Sequence, residues 1–162
     1  MCDHCGCRQV GAIGELMDEH AVLLGEGHAV RDAVRRGDRR AARELLAALA
    51  GRLDRHVRRE ETGLFTALRE ERGEVADEVA ALEGEHRSLH DLIEGLDPER
   101  PDFDDRVLRF LDDLAGHAER EDVGIFPVSV VTLGAAGWRT VDEAHARIPS
   151  FLGDAPTSVP TS

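Results

Sequence analysis

Histidines and glutamates recur along this chain at spacings that favour a metal-binding site. Their positions are His20, His56, Glu60, His86, His90, His117 and Glu121. Three pairs in this set are separated by four residues, and such pairs share one face of a helix, one turn apart. A buried carboxylate without a partner is costly, and a cation that also satisfies neutral imidazoles removes that cost.

The competing interpretation is that each histidine is an ordinary core residue bonded to a backbone carbonyl. That interpretation requires several buried polar groups to have arisen independently, on four otherwise apolar helix faces. Helical bundles often build metal sites from inward side chains on facing helices. The spacing therefore favours one shared metal site.

The elements that must position these side chains are predicted to be helices. The chain has 162 residues, of which 33% are charged and only 4% aromatic. Ala, Leu, Glu and Arg dominate, which favours helix. No run of β-branched or aromatic residues shows the alternation typical of a strand. The length suits one domain with a sizeable core.

Glycines, prolines and capping residues mark the predicted helix ends. Long helices are expected over residues 10–36, 38–72, 74–96 and 102–126, and a short one over 140–147. Gly37 and Gly73 end the first two, Asp38 and Asp102 cap the second and fourth, and Pro127 ends or kinks the fourth.

The predicted fold is all-α: an up-down antiparallel four-helix bundle with a short C-terminal helix and a disordered tail. Its parts are a Cys-rich segment 1–9, the bundle 10–130, a C-terminal extension 131–148 and the tail 149–162. The tail is rich in Pro, Ser and Thr, which disfavours a packed core.

An internal repeat relates the two halves of the predicted bundle. The segments beginning at His56 and at His117 share the pattern H-x-x-R-E-[E/D]-x-G-[L/I]-F. The dipeptide Glu19-His20 likewise aligns with Glu85-His86. Two copies of a helical hairpin, each with a similar ligand set, favour a pair of metal ions over a single ion.

The repeat is broken at one position, where the third helix has His90 and the first has Leu24. We therefore expect one metal ion to be held by His86, His90 and His117, and the other by His20 and His56. If Glu60 and Glu121 bridge the ions together with one oxygen species, the second ion keeps a coordination position beside Leu24 for a small ligand.

Taken together, these motifs resemble those of hemerythrin and the HHE cation-binding domains over about residues 10 to 130. The matching features are one His in the first helix, HxxxE in the second, HxxxH in the third and HxxxE in the fourth. The resemblance implies an up-down four-helix bundle around two iron ions, bridged by carboxylates and an oxo or hydroxo group. Oxygen-carrying members place an Asp five residues after the last His; Asp122 occupies that place here, so Asp122 is the alternative to Glu121 as bridging ligand.

Members of that family carry or sense O2, respond to NO or peroxide, or sense or handle iron. We accordingly expect reversible binding of O2 or NO for storage, delivery or sensing, with a small molecule as the main partner. The alternative is a di-iron redox enzyme that removes peroxide or NO, or donates iron for cluster repair, and needs a redox partner protein. An iron-responsive module is a third candidate.

The cysteines Cys2, Cys5 and Cys7 all lie in the N-terminal segment. They favour either a second redox or soft-metal site or a terminus without a function of its own. Because no cysteine lies in the predicted bundle, a disulfide framework is not expected, which agrees with a reducing, cytoplasmic compartment.

The net charge of −13 and the interleaving of Arg with more numerous acids disfavour nucleic-acid binding. The apolar runs are too short for a membrane span, and the first ten residues lack the basic and apolar stretches of a secretory signal, so neither a membrane span nor such a signal is expected. Among the remaining groups, Arg59 and Arg120 are expected to pair with acids on neighbouring helices, and His145 to be solvated. Asp122 and Glu61 are expected to be exposed or to orient a ligand from outside.

Overall fold

A computed structural model describes residue 6, residues 9–71 and residues 74–154. Within these residues the fold is helical and contains no strand, which confirms the predicted class. The helices are α1 (Gly11–Arg35), α2 (Arg39–Arg59, continued by the π-helical turn Glu60–Phe65 and by Thr66–Arg69), α3 (Glu74–Glu94), α4 (Phe103–Arg120, continued by the π-helical turn Glu121–Ile125 and by Phe126–Thr132) and α5 (Ala135–Arg147). A short 3-10 turn, Phe151–Gly153, follows α5.

The connection between α1 and α2 forms as its residues predict. Gly37 has a φ of +72°, the left-handed conformation that glycine adopts at little cost. Asp38 then caps α2, because its carboxylate accepts a hydrogen bond from the backbone N–H of Ala41 at 2.9 Å. Asp102 precedes α4 but makes no such cap; its carboxylate instead accepts from the guanidinium of Arg100 at 2.9 Å.

Pro127 does not end the fourth helix, which was one of the two outcomes predicted from the sequence. The helix continues from Phe126 to Thr132. The π-helical turn Glu121–Ile125 directly precedes the proline, so the α-helical hydrogen-bond ladder is already interrupted there. The missing N–H of Pro127 then falls in the first turn of the new α-helical segment, where it is tolerated.

The C-terminal part of the chain is more ordered than its composition predicts. Helix α5 begins at Ala135, five residues before the expected start at Thr140. The predicted tail also begins too early, because the side chain of Phe151 is buried in the core. Apolar burial of this ring outweighs the polar composition around it. Residues 155–162 lie outside the described residues.

The core consists of two apolar clusters, one on each side of a buried polar layer. One cluster includes Leu49, Val107 and Phe110, and the other includes Leu16 and Val141. Along each of α1 to α4, the buried histidine separates residues of one cluster from residues of the other.

The helices pack as a bundle around this polar layer. Helix α1 packs against α2 and α4, and α3 packs against α4 and the end of α2. Helix α5 lies on the π-helical turn of α2. Among the described residues, none of the helices is both long and apolar enough to cross a membrane.

Candidate metal centre

The polar layer contains four histidines and two glutamates whose ligand atoms converge. All six side chains are buried: His20, His56, Glu60, His86, His117 and Glu121. They form two overlapping groups, and within each group the potential ligand atoms lie within 4.8 Å of one another. We call the pair His20 and His56 position 1, and the pair His86 and His117 position 2.

Each glutamate divides its two oxygens between the two positions. Glu60 Oε1 lies 3.2 Å from His56 Nε2, and its Oε2 lies 3.4 Å from His86 Nε2. Glu121 spans the same gap, with Oε2 3.1 Å from His20 Nε2 and Oε1 3.3 Å from the Nε2 of His117. Two carboxylates arranged in this way can bridge a pair of cations, one in each position.

None of the converging atoms has a hydrogen-bond partner outside the cluster itself. The Nε2 atoms of all four histidines and both oxygens of both glutamates are buried without one. Buried polar groups are nearly always satisfied, so an unsatisfied set on this scale requires a physical explanation. A cation in each position would satisfy its two nitrogens and two oxygens together.

The opposite nitrogen of every ring is satisfied, and this fixes what Nε2 presents to the centre. Each Nδ1 donates to a carboxylate: His20 to Asp122 (2.8 Å), His56 to Glu19 (2.6 Å), His86 to Glu61 (2.9 Å) and His117 to Glu85 (2.8 Å). A neutral imidazole that donates from Nδ1 presents a lone pair at Nε2. Such carboxylate–histidine pairs are typical of metal ligands, because they orient the ring and raise its basicity.

These outer carboxylates link the four helices in a closed ring. Helix α1 supplies a carboxylate to the histidine of α2, α2 to that of α3, α3 to that of α4, and α4 to that of α1. The arrangement follows the sequence repeat, in which Glu-His dipeptides alternate with Glu-Glu or Glu-Asp dipeptides.

The π-helical turns explain how adjacent acids serve different roles. In each turn the first acid is buried at the centre, and the second reaches Nδ1 of a histidine on the next helix. π-helical turns often occur at functional sites because they change the direction of side chains. The same turns bring Phe126 against His20 and Phe65 against His86, with stacked rings 5.5 and 5.6 Å apart.

The electrostatics of the centre favour positive charge. Burial lowers the pKa of His20, but contacts with Asp122 and Glu121 outweigh it and raise the pKa to about 10. Burial similarly lowers the pKa of His86, and contacts with Glu121 and Glu60 raise it to about 11. Burial raises the pKa of Glu121, yet the neighbouring imidazoles hold it well below its usual range. Without a metal ion, protonated imidazoles thus balance the negative charge of the buried carboxylates.

The structure does not bring His90 into this cluster. The prediction that His90 supplies a third imidazole to position 2 is therefore wrong. His90 is 59% exposed, and its Nε2 lies 3.4 Å from the carboxylate of Glu94. Leu89, three residues after His86, takes the inward place instead. One helical turn offers either the third or the fourth residue to the interior, and burial favours the apolar one.

This correction removes the expected inequality in ligand number. Positions 1 and 2 each receive two imidazole nitrogens and two carboxylate oxygens from the described residues. It therefore no longer follows that only the ion beside Leu24 keeps a free coordination position.

The structure places the two candidate bridging acids, Glu121 and Asp122, differently. Glu121 faces both positions, whereas Asp122 contacts the Nδ1 of His20, on the far side of the ring. This placement favours Glu121 as the bridging ligand and Asp122 as a group that orients His20. Glu19 and Glu85 have the same role and were not predicted, although the repeated Glu-His dipeptide was the signal that could have identified them.

The pairing predicted for the repeated arginines is present in the structure. Arg120 pairs with Glu78 at 2.8 Å and with Glu85, both on α3. Arg59 pairs with Glu19, its Nε 3.1 Å from the carboxylate, and with Glu15, both on α1.

His145 is not solvated as predicted. Its Nδ1 accepts a hydrogen bond from Arg59 at 3.1 Å. Burial, with the nearby Arg59 charge, lowers its pKa to about 4. The candidate ligands Cys2, Cys5 and Cys7 lie outside the described residues.

The imidazole nitrogens and carboxylate oxygens of the cluster indicate which metal ions could bind there. Mixed imidazole and carboxylate ligands suit iron, and also manganese and zinc, whereas soft thiolate-preferring ions are disfavoured. The buried, unsatisfied acceptors and the two carboxylates that face both positions could hold a pair of such ions.

Comparisons with known proteins agree with this geometry. The family model described as the hemerythrin HHE cation binding domain matches residues 11–129. Comparisons with the curated proteins and with the solved structures find no match. The matched range contains all six side chains of the cluster and ends before α5.

Proposed function

The chain belongs to the hemerythrin HHE cation-binding domain family, and from that premise we propose that it binds a pair of iron ions in an up-down four-helix bundle. The ions would occupy positions 1 and 2, bridged by Glu60 and Glu121. The unsatisfied buried atoms carry this proposal, because they divide into two equal sets that share both carboxylates.

We further propose that the centre binds O2 or NO reversibly, for storage, delivery or sensing. A pair of iron ions, when bound, coordinates such small molecules and exchanges electrons with them. Each position receives four protein atoms, and non-haem iron sites that bind small molecules keep coordination positions free of protein ligands.

The residues around the centre support this role by excluding water. Leu23, Leu64, Leu89 and Ile125 are all buried at the boundaries of the polar layer. The stacked rings of Phe65 and Phe126 add to this apolar lining. A dry environment limits loss of electrons to solvent-borne oxidants and protons.

A di-iron redox enzyme acting on peroxide or NO is the second candidate, and one observation favours it. Because the two positions have equal ligand sets, a substrate could be shared between both ions. Such an enzyme would also need an electron-donating partner protein.

Optical spectroscopy of the reduced, iron-loaded chain during exposure to O2 or NO separates the two candidates. Reversible binding predicts a stable new absorption band that disappears when the gas is removed. Turnover predicts a transient band with consumption of peroxide or NO. The Glu121→Ala variant serves as the control, since it should form neither signal.

A further inference from the structure

The two arginines of the repeat occupy different environments, although the sequence pattern around them is the same. Arg59 is 1% exposed, whereas Arg120 is 43% exposed. Their partners differ in the same way: Glu19, which orients His56, is 0% exposed, and Glu85, which orients His117, is 32% exposed. The two positions thus have equal ligand sets, but this arginine–glutamate pair is buried behind position 1 and reaches solvent behind position 2.

The enclosure of position 1 comes from the chain after α4. Arg59 donates to the backbone carbonyl of Ile148 at 2.6 Å and to the His145 ring at 3.1 Å. Ser150 donates to Glu19 Oε1 at 2.5 Å, while the other oxygen of that carboxylate accepts from His56. One carboxylate thus connects the C-terminal segment to a ligand of position 1.

Glycine allows this segment to lie close to α2. A Cβ at Gly63 would lie 3.1 Å from the Cβ of Ala144 and 3.4 Å from the Cα of Val141, both in α5. Gly124, the equivalent glycine of the repeat, has open space around it. Helix α5 therefore approaches the π-helical turn of the first half of the repeat closely, at Gly63, and has no such contact with Gly124 in the second half.

The surface beside position 2 is open instead. A cavity of about 340 Å³ lies between α3 and α4, lined by Glu85, Ser88, Leu89, Asp112, Asp113, Gly116, His117 and Arg120. Each carboxylate of its lining is paired with an arginine: Glu85 with Arg120, Asp112 with Arg31 and Asp113 with Arg109. These ion pairs reach solvent, so the cavity is open to water and ions. His117 also lines the cavity, and its Nδ1 donates to Glu85, another lining residue, at 2.8 Å.

We propose that residues 135–154 seal position 1, with Arg59 as the positioning residue, and that metal ions enter and leave through the cavity beside position 2. The proposal rests on the proposed function, since it concerns the same pair of positions. Position 1 then retains its ion while position 2 exchanges its ion with solution.

Metal release from the full-length chain loaded with Co(II) tests this asymmetry. Excess chelator is added, and the loss of visible absorbance is followed in time. We expect two phases of equal amplitude, with rates that differ by about tenfold or more. His117→Ala should remove the fast phase and His56→Ala the slow phase, which assigns each phase to a position.

The Arg59→Gln variant should accelerate the slow phase up to about tenfold, the lower end of the range for loss of a direct partner of a metal ligand, because Arg59 acts on His56 through Glu19. Arg120→Gln is the matched control and should leave the slow phase unchanged. Ser150→Ala and Gly63→Ala provide milder changes to the seal, with Gly124→Ala as the control for the second.

Hydrogen exchange of the metal-free chain gives a readout that does not depend on metal. Arg59→Gln should increase exchange in residues 135–154, and Arg120→Gln should not. Two bound ions that leave in a single phase, or equal effects of the two arginine variants, would overturn the seal while leaving the proposed metal pair intact. A chain that binds no Co(II) or Fe(II) would instead overturn the proposed function itself.

Discussion

The two helical hairpins present the same ligands to the centre and differ only behind them. In both hairpins, two histidines face the shared carboxylates and donate from Nδ1 to an acid on a neighbouring helix. Behind them, α5 and the residues after it bury Arg59 and Glu19, while Arg120 and Glu85 reach solvent. A repeat can therefore fix ligand identity, while a segment outside the repeat makes the two positions unequal.

The largest effect is expected where the two halves share a ligand. Glu121→Ala removes one oxygen from each position, so both ions should be lost and metal content should fall from two per chain to near zero. Metal analysis after gel filtration measures this. The Asp122→Ala variant, which removes only an orienting group, should retain more metal than Glu121→Ala; equal losses would contradict the assignment of Glu121.

The next effect concerns the segment that covers only the first half. Phe151→Ala should destabilise the chain by about 3 kcal/mol, because a buried ring is replaced by a cavity. Leu152, its neighbour, is half-exposed, and Leu152→Ala should change the free energy of unfolding by no more than roughly 0.5 kcal/mol. Chemical denaturation of the metal-free chain compares the two; equal stabilities would mean that Phe151 belongs to a tail.

The orienting carboxylates offer a direct comparison of the two halves. Glu19→Gln should weaken metal binding about tenfold or more. Glu19 is buried, so no water molecule can take over the hydrogen bond that its carboxylate accepts from His56. Glu85→Gln should have a smaller effect, because solvent reaches that site. Competition with a coloured chelator measures both affinities, and a larger loss in Glu85→Gln would reverse the comparison.

The smallest effect is expected at His90. Because this side chain is exposed and paired with Glu94, His90→Ala should leave two ions bound with unchanged affinity. His86→Ala on the same helix should lower the metal content. A loss of metal in His90→Ala would restore the ligand set with three imidazoles in position 2.

The helical class and all six residues of the cluster could be predicted from the sequence, because both depend on local spacing. Residues four apart share a helix face, and an internal repeat relates the two ligand sets. The turn at Gly37 and Asp38 was predictable for the same reason, since each residue type has a specific conformational preference.

The remaining features depend on contacts that spacing does not encode. Whether Leu89 or His90 faces inward is decided by the competition for burial within one turn. In the π-helical turns, two adjacent acids point in different directions, one into the centre and one toward a histidine of the next helix. The turn before Pro127 also allows the fourth helix to continue past the proline, and no local spacing indicates this. The role of Arg59 required knowing that residues from 145 to 150 fold back onto α2, which no local pattern reports.

The central claim is that two metal cations replace protons among eight buried acceptor atoms, and calorimetric titration of the metal-free chain with Fe(II) at pH 8 without oxygen tests it most directly. At this pH His20 and His86 are protonated, because their pKa values are raised to about 10 and about 11. We expect two ions to bind per chain with release of about two protons or more, since the pKa of His56 is raised as well. The number of protons is obtained by comparing buffers of different ionisation enthalpy. A chain that binds no ion, or that binds ions without releasing protons, would contradict the account.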